Sequence, residues 1–128
     1  MSRTSRQVSG QRGEADAERW LKRHGLETVE RNYRCRAGEI DLVMVHRDTA
    51  DGDVLVFVEV RLRAPGALVD AVETVDRNKQ QRLARAARHF LMSFPAWEAH
   101  ACRFDVVAIN DPDEKPNWIA NAFEPSGG

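Results

Sequence analysis

Two carboxylates sit inside segments that otherwise read as buried strands. Asp41 interrupts Gly38-Glu39-Ile40-Asp41-Leu42-Val43-Met44-Val45, and Glu59 interrupts Val54-Leu55-Val56-Phe57-Val58-Glu59-Val60-Arg61. A carboxylate taken out of water costs free energy unless it is paired, hydrogen-bonded or bound to a metal. Any fold for this chain must therefore bring these two positions to a place where such partners exist. A cation, Arg61, follows the second acid by two residues.

A chain of 128 residues accommodates one domain with a sizeable core and needs no staples. The composition, 42% hydrophobic and 30% charged, is that of a globular protein rather than a disordered one. No apolar run approaches the ~20 residues of a membrane span. The polar start, with Arg3, Arg6 and Arg12, has no apolar segment of the secretory type, so a cytoplasmic location without a membrane partner is expected. Cys35 and Cys102 are too few for a disulfide framework or a zinc site. The net charge of −1 gives no global sign of a nucleic-acid partner, so that signal must come from local clustering.

Along the chain, residues 1–10 read as an arm, 11–123 as a single domain and 124–128 as a loose tail. Ala17, Trp20, Leu21 and His24 recur at helical spacing over Gly13–His24, and Gly25 is a stop signal. Strands are expected over Leu26–Arg34, Glu39–His46 and Val54–Leu62, linked by Arg36-Ala37-Gly38 and by Asp51-Gly52, as an antiparallel meander. Ala64-Pro65-Gly66 breaks the sheet, and Val69–Val75 reads as a short helical turn. Asp76 is an N-cap for a helix reaching about Ser93, before Pro95. Ala101–Ile109 is a further strand, Asp111–Pro116 a polar turn, and Asn117–Phe123 a short edge strand. The order α-β-β-β-α-β specifies an α/β domain with a central mixed sheet flanked by helices.

Alternation in a strand puts Glu39 and Asp41 on one face and Ile40, Leu42 and Met44 on the other. In the third strand Phe57, Glu59, Arg61 and Arg63 share a face. If the apolar faces coincide on pairing, the charged faces do too, and Asp41 meets Glu59. Like charges opposed across a ladder repel. Two readings answer this equally well. Either a hard cation, Mg²⁺ or Mn²⁺, sits between them, or the face is solvated and each acid pairs with Arg61 or Arg63.

The segments Gly38-Glu39-Ile40-Asp41, Phe57-Val58-Glu59-Val60-Arg61-Leu62-Arg63, Lys79-Gln80-Gln81-Arg82-Leu83 and Cys102-Arg103-Phe104-Asp105-Val106-Val107 occur in this order. Together they resemble the bacterial YraN family over about Gly13–Phe123. That resemblance implies a restriction-endonuclease-like, PD-(D/E)XK fold akin to Holliday-junction resolvases. It implies metal-dependent cleavage of nucleic acid, DNA more than RNA, and, for a symmetric junction, a homodimer. It also implies site roles: Asp41 and Glu59 as the motif acids, with the Val60 carbonyl as a further metal ligand. Glu14 becomes the acidic residue of the first helix and Lys79 a lysine of the helix after the sheet. Arg61 stands where the pattern has Lys. Arginine stays protonated and holds phosphate through two hydrogen bonds, but it is a poor base. So either the cation and Lys79 compensate, or the chain is a non-catalytic nucleic-acid-binding or protein-interaction module.

No acid occurs between Asp76 and Glu98, and Arg77, Lys79, Arg82, Arg85 and Arg88 occupy one broad arc of the second helix. That arc fits a phosphate backbone, or else a solvated face whose stems cover the core. Glu18 shares the Glu14 face of the first helix and is expected to be an exposed acid. His24, His46, His89 and His100 show no zinc-ligand spacing and are expected to be structural.

Overall fold

The structure is a computed structural model that describes residues 5–62, 74–110 and 115–124. The expected break at 64–66, most of the turn at 69–75 and of the polar turn at 111–116, Arg63, and the tail beyond 124 lie outside these residues. Helix α1 spans Ser5–Arg23, so it begins within the stretch that the sequence pattern reads as an arm. It stops at Gly25, whose φ of +93° suits a residue without Cβ. Strands β1 (Leu26–Cys35), β2 (Gly38–Thr49) and β3 (Gly52–Leu62) follow as the expected meander. Helix α2 spans Arg77–Ser93, and the Asp76 carboxylate caps it by accepting from the Lys79 N–H at 2.8 Å. A 3₁₀ turn at Pro95–Trp97 leads to β4 (Ala101–Ile109) and to a three-residue β5 (Asn117–Ile119).

The five strands form one mixed sheet in the order β1-β2-β3-β4-β5. β4 runs parallel to β3 and every other neighbouring pair is antiparallel. The parallel pairing requires a crossover, and α2 supplies it. The sheet therefore buries both faces. Leu42, Met44, Val56, Val58 and Val107 pack with Ala17 and Leu21 of α1. Val43, Leu55, Phe57 and Val106 pack with Leu83, Ala86 and Phe90 of α2. Each large side chain buried this way contributes roughly 1.5–3 kcal/mol.

Ile40 corrects the expected alternation. It belongs with Val43 and Phe57 on the α2 side, not with Leu42 and Met44 on the α1 side. The strand therefore changes facing across Asp41. Beside it, Asn32 of β1 has φ of +51°, in the left-handed region that Asn tolerates better than other side chains. The pairs Arg31–Leu42 and Tyr33–Ile40 bracket Asn32 and Asp41, so the two irregular residues face each other across the ladder.

Another acid set in an apolar strand, Asp105, is wholly buried. Arg103 donates to it from Nε at 2.8 Å and from Nη2 at 3.0 Å, Trp118 Nε1 donates at 2.8 Å, and the Asn121 N–H donates at 2.9 Å. Arg103 Nη2 also lies 3.1 Å from His46 Nδ1. Burial, and then the Arg103 charge, lower the His46 pKa, which favours the neutral ring that can accept from Arg103. This network ties β5 and the turn at Asn121 to the body of the sheet. Among the described residues no helix is long and apolar enough to cross a membrane.

Asp105→Ala should destabilise the fold by about 3 kcal/mol or more, because it strands a mostly buried guanidinium and two further donors. Urea unfolding measures this, and a loss below about 1 kcal/mol would contradict the role given to the network.

Candidate metal and phosphate site

The β2–β3 ladder runs from Thr49–Gly52 to Leu42–Val58. Continuing that register by one residue sets Asp41 opposite Glu59. Here a side chain takes over from the main chain: Asp41 Oδ2 accepts from the Val60 N–H at 2.8 Å. Burial raises the Asp41 pKa most, the Val60 hydrogen bond opposes it, and Glu39 raises it further.

Glu59, three residues before the end of β3, is 5% exposed. Its Oε1 lies 3.5 Å from Arg61 Nε and 3.5 Å from Lys79 Nζ. Both separations exceed the usual hydrogen-bond range of about 2.7–3.2 Å, so the two cations flank this oxygen without saturating it. Among the described residues Glu59 Oε2 accepts from no N–H or hydroxyl, and Arg61 Nε is likewise buried without a hydrogen-bond partner. A hydrogen bond between the Glu59 and Asp41 carboxyls helps to hold the Asp41 pKa down. Burial, and then the Asp41 charge, push the Glu59 pKa up to about 7 against the pull of Lys79 and Arg61. Arg61 is oriented by Nη2, which donates to the Thr74 carbonyl at 3.3 Å. Lys79 reaches Glu59 because it lies on the core-facing side of α2, one turn before Leu83.

Glu14 joins from α1. Burial, then the charges of Asp41 and Glu39, raise its pKa to about 7, and a hydrogen bond from the Asn32 side chain offsets part of the rise. Helix α1 passes close to β3 at Gly13, where a Cβ would meet the Leu62 side chain. A cleft of about 270 Å³ beside Glu14 is lined by Glu18, Arg31, Asn32 and Leu42, which leaves the Glu14 carboxylate approachable from solvent. Asn32, Asp41 and Glu59 thus lie in a row across three strands, with Glu14 over them and Lys79 reaching in from α2.

Glu18 departs from the expectation of an exposed acid. It is 8% exposed and accepts from Thr28 Oγ1 and from Arg31 Nε at 3.0 Å, which fastens α1 to β1. Burial alone would raise its pKa, but the Arg31 and Thr28 hydrogen bonds prevail and lower it. An acidic face on a helix looks the same in sequence whether water or an arginine lies against it. Of the remaining cations in α2, Arg77, Arg82, Arg85 and Arg88 are exposed and form no ion pair among the described residues. Asn32 was not singled out by pattern, since one polar residue in a mixed strand carries no periodic signal.

A mixed sheet with helices on both faces, and acids from a helix and two strands meeting at one end of it, define an α/β protein with a polar site where strands terminate. The chain belongs to the family described as Uncharacterised protein family UPF0102, whose model matches residues 13–109. It is similar to a UPF0102 protein of Stutzerimonas stutzeri, at 51% identity over 120 residues, covering 92% of this chain and 96% of that one. A UPF0102 protein of Pseudomonas syringae pv. syringae is 46% identical over 127 residues, covering 97% and 99%. One of Aeromonas hydrophila is 49% identical over 115 residues, covering 89% and 83%. Among solved structures, Pyrococcus furiosus SfsA in complex with Ca²⁺ aligns with a TM-score of 0.29 at 9% identity, covering 86% of this chain and 63% of that one. So slight a likeness carries no structural or functional argument.

The raised carboxyl pKa values have a signed consequence. Between 4.5 and about 7 the folded protein keeps protons on Glu14 and Glu59 that the unfolded chain has released. Their contribution to stability is therefore greatest below 4.5 and is lost as pH rises towards 7. Glu18 acts in the opposite sense and in a separate window, losing its contribution only on acidification below 4.5. Urea unfolding of the parent and of Glu59→Gln without divalent ions should show the parent losing stability relative to the variant as pH rises from 4.5 to 7. Parallel curves would contradict the assignment.

Proposed function

We propose that this chain is a Mg²⁺- or Mn²⁺-dependent phosphodiesterase of the PD-(D/E)XK type acting on nucleic acid, with DNA favoured over RNA. The observation that carries the reading is the buried Glu59 carboxyl, whose Oε2 meets no cation or N–H among the described residues, beside the Asp41 carboxyl and flanked by Arg61 and Lys79. A buried pair of carboxyls that lacks donors of its own is a place for an ion or an ordered water brought from outside. Among the described residues no three His, Cys, Asp or Glu side chains form a ready-made cage. The donors fit Mg²⁺ all the same, because that ion is held by one or two carboxylates, several waters and the substrate's phosphate.

In this reading Asp41 and Glu59 hold the cation with the Val60 carbonyl. That carbonyl faces the same neighbouring strand as the N–H bonded to Asp41, as the two groups of one strand residue do. When bound, the cation would polarise a phosphoryl oxygen and acidify a water. The remaining work falls to the protein's own side chains. The Lys79 ammonium supplies the compact charge that the motif usually draws from its lysine, now delivered from α2 rather than from β3. Arg61, fixed by the Thr74 carbonyl, is suited to hold the phosphate through two hydrogen bonds. Glu14 and Asn32 bound the solvent side of the site. A cytoplasmic setting, and a two-fold pair of sites for a symmetric branched substrate, belong to the same reading.

One observation favours a second reading. With Arg61 and Lys79 already beside Glu59, two fixed charges partly compensate the acid without any metal. A nuclease scaffold that only binds nucleic acid would look like this.

Cleavage of branched, single-stranded or duplex DNA or RNA should require Mg²⁺ or Mn²⁺. Asp41→Asn and Glu59→Gln should each lower it by at least about a hundredfold with the fold intact, since each removes a cation-holding charge at constant size. Arg61→Lys should preserve or raise activity. Gel assays with circular dichroism controls test this. If neither the parent nor Arg61→Lys cleaves any of these substrates, the enzyme reading fails, and retained binding then selects the non-catalytic module.

A further inference from the structure

The carboxylate end of the sheet poses an electrostatic problem for any polyanion. Glu14, Glu39, Asp41 and Glu59 gather there, as their mutual effects on the Glu14 and Asp41 pKa values show. Nearby cations are partly spoken for. Lys79 and Arg61 flank Glu59, and Arg34 lies 3.7 Å from Glu39. A phosphate chain that reaches this site must be carried by cations that remain free and stand on its rim.

Arg82 and Arg36 meet that description. Arg82 packs its backbone over the turn between β1 and β2: a methyl group on Gly38 would lie 3.5 Å from Arg82 Cβ and 3.7 Å from the Arg82 carbonyl oxygen. It is one helical turn from Lys79, roughly 5–6 Å between Cβ atoms. Arg36 sits in the same turn, two residues before Gly38 and five before Asp41. Both are exposed, and neither forms an ion pair among the described residues. Arg85 and Arg88, by contrast, lie six and nine residues beyond Lys79, which places them about 9 and 13 Å further along the axis of α2. Arg88 moreover leans over an apolar hollow lined by Phe57, Leu91, Cys102 and Phe104.

We propose that Arg36 and Arg82 form a phosphate-binding rim, and that a nucleic-acid strand runs from the carboxylate site over the β1–β2 turn rather than along the length of α2. This rests on the nucleic-acid reading above and assigns a path within it. Successive phosphates of one strand are about 3.4 Å apart along a duplex axis. The short reach from Lys79 to Arg82 and on to the turn therefore spans only a few of them, and two direct contacts are expected.

The test compares two double variants with the same change in net charge, Arg36→Gln with Arg82→Gln and Arg85→Gln with Arg88→Gln. Binding of fluorescein-labelled DNA and RNA hairpins of one sequence is followed by anisotropy between ~50 and ~200 mM KCl, in EDTA to prevent cleavage. Loss of two phosphate contacts lowers the slope of log K against log[salt] by about 1.8, and extrapolation from 1 M gives a weakening of about sixtyfold at ~0.1 M salt. The rim pair should show both effects, and the distal pair should keep the parental slope. Equal slopes in the two double variants, or a loss confined to the distal pair, would overturn the path while leaving nucleic-acid binding in place. No binding of either hairpin by the parent, in EDTA or with Ca²⁺ added, would overturn the nucleic-acid reading and the path together. Circular dichroism of each variant establishes that the fold is kept.

Discussion

The hydrogen bond from the Val60 N–H to the Asp41 carboxylate stands where the β2–β3 ladder stops. Up to Leu42–Val58 each strand satisfies its neighbour through main-chain groups. One residue further a side chain does so, and the strands are held in register without closing the space between them. Everything distinctive about the site follows from that substitution. Asp41 is fixed by the main chain of β3, Glu59 is left facing it, and Ile40 turns to the opposite core.

Two buried carboxylates in this sheet illustrate different solutions to one problem. Asp105 is surrounded by donors from Arg103, Trp118 and Asn121, so its charge is compensated within the protein. Glu59 has two cations at 3.5 Å from one oxygen and, among the described residues, no cation or N–H on the other. The first arrangement fastens an edge strand. The second retains unspent affinity for something positive, at a cost in stability that shows as a pKa raised to about 7.

Much of this architecture is legible in the sequence, for identifiable reasons. Gly25, Asp76 and Pro95 punctuate the helices, and continuous apolar runs mark β3 and β4, so element order and the three-strand meander follow from local chemistry. Other features depend on what lies across a gap. An acid in an apolar strand signals a special position, and that rule applies to Asp105 as much as to Asp41 and Glu59. Only the fold distinguishes the saturated acid from the bare one. The pairing of Glu18 with Arg31, thirteen residues away, is likewise invisible to helical periodicity. The reversal at Ile40 escapes a period-two reading because the irregularity belongs to Asn32 and Asp41 jointly, in different strands.

The left-handed Asn32 has a consequence at the outer margin of the sheet. β1 is an edge strand of ten residues, long enough to recruit another chain through its free main-chain groups. Its ladder with β2 slips between Thr28 and Glu30, and its backbone turns out of the extended region at Asn32. An incoming strand would find at most a few consecutive residues in a regular pleat. The irregular backbone beside the carboxylate cluster thus leaves only short regular stretches of this edge for strand pairing. In this protein the distortion at Asn32 bears on the interior site and, with the slip at Thr28, interrupts the exposed border of the sheet.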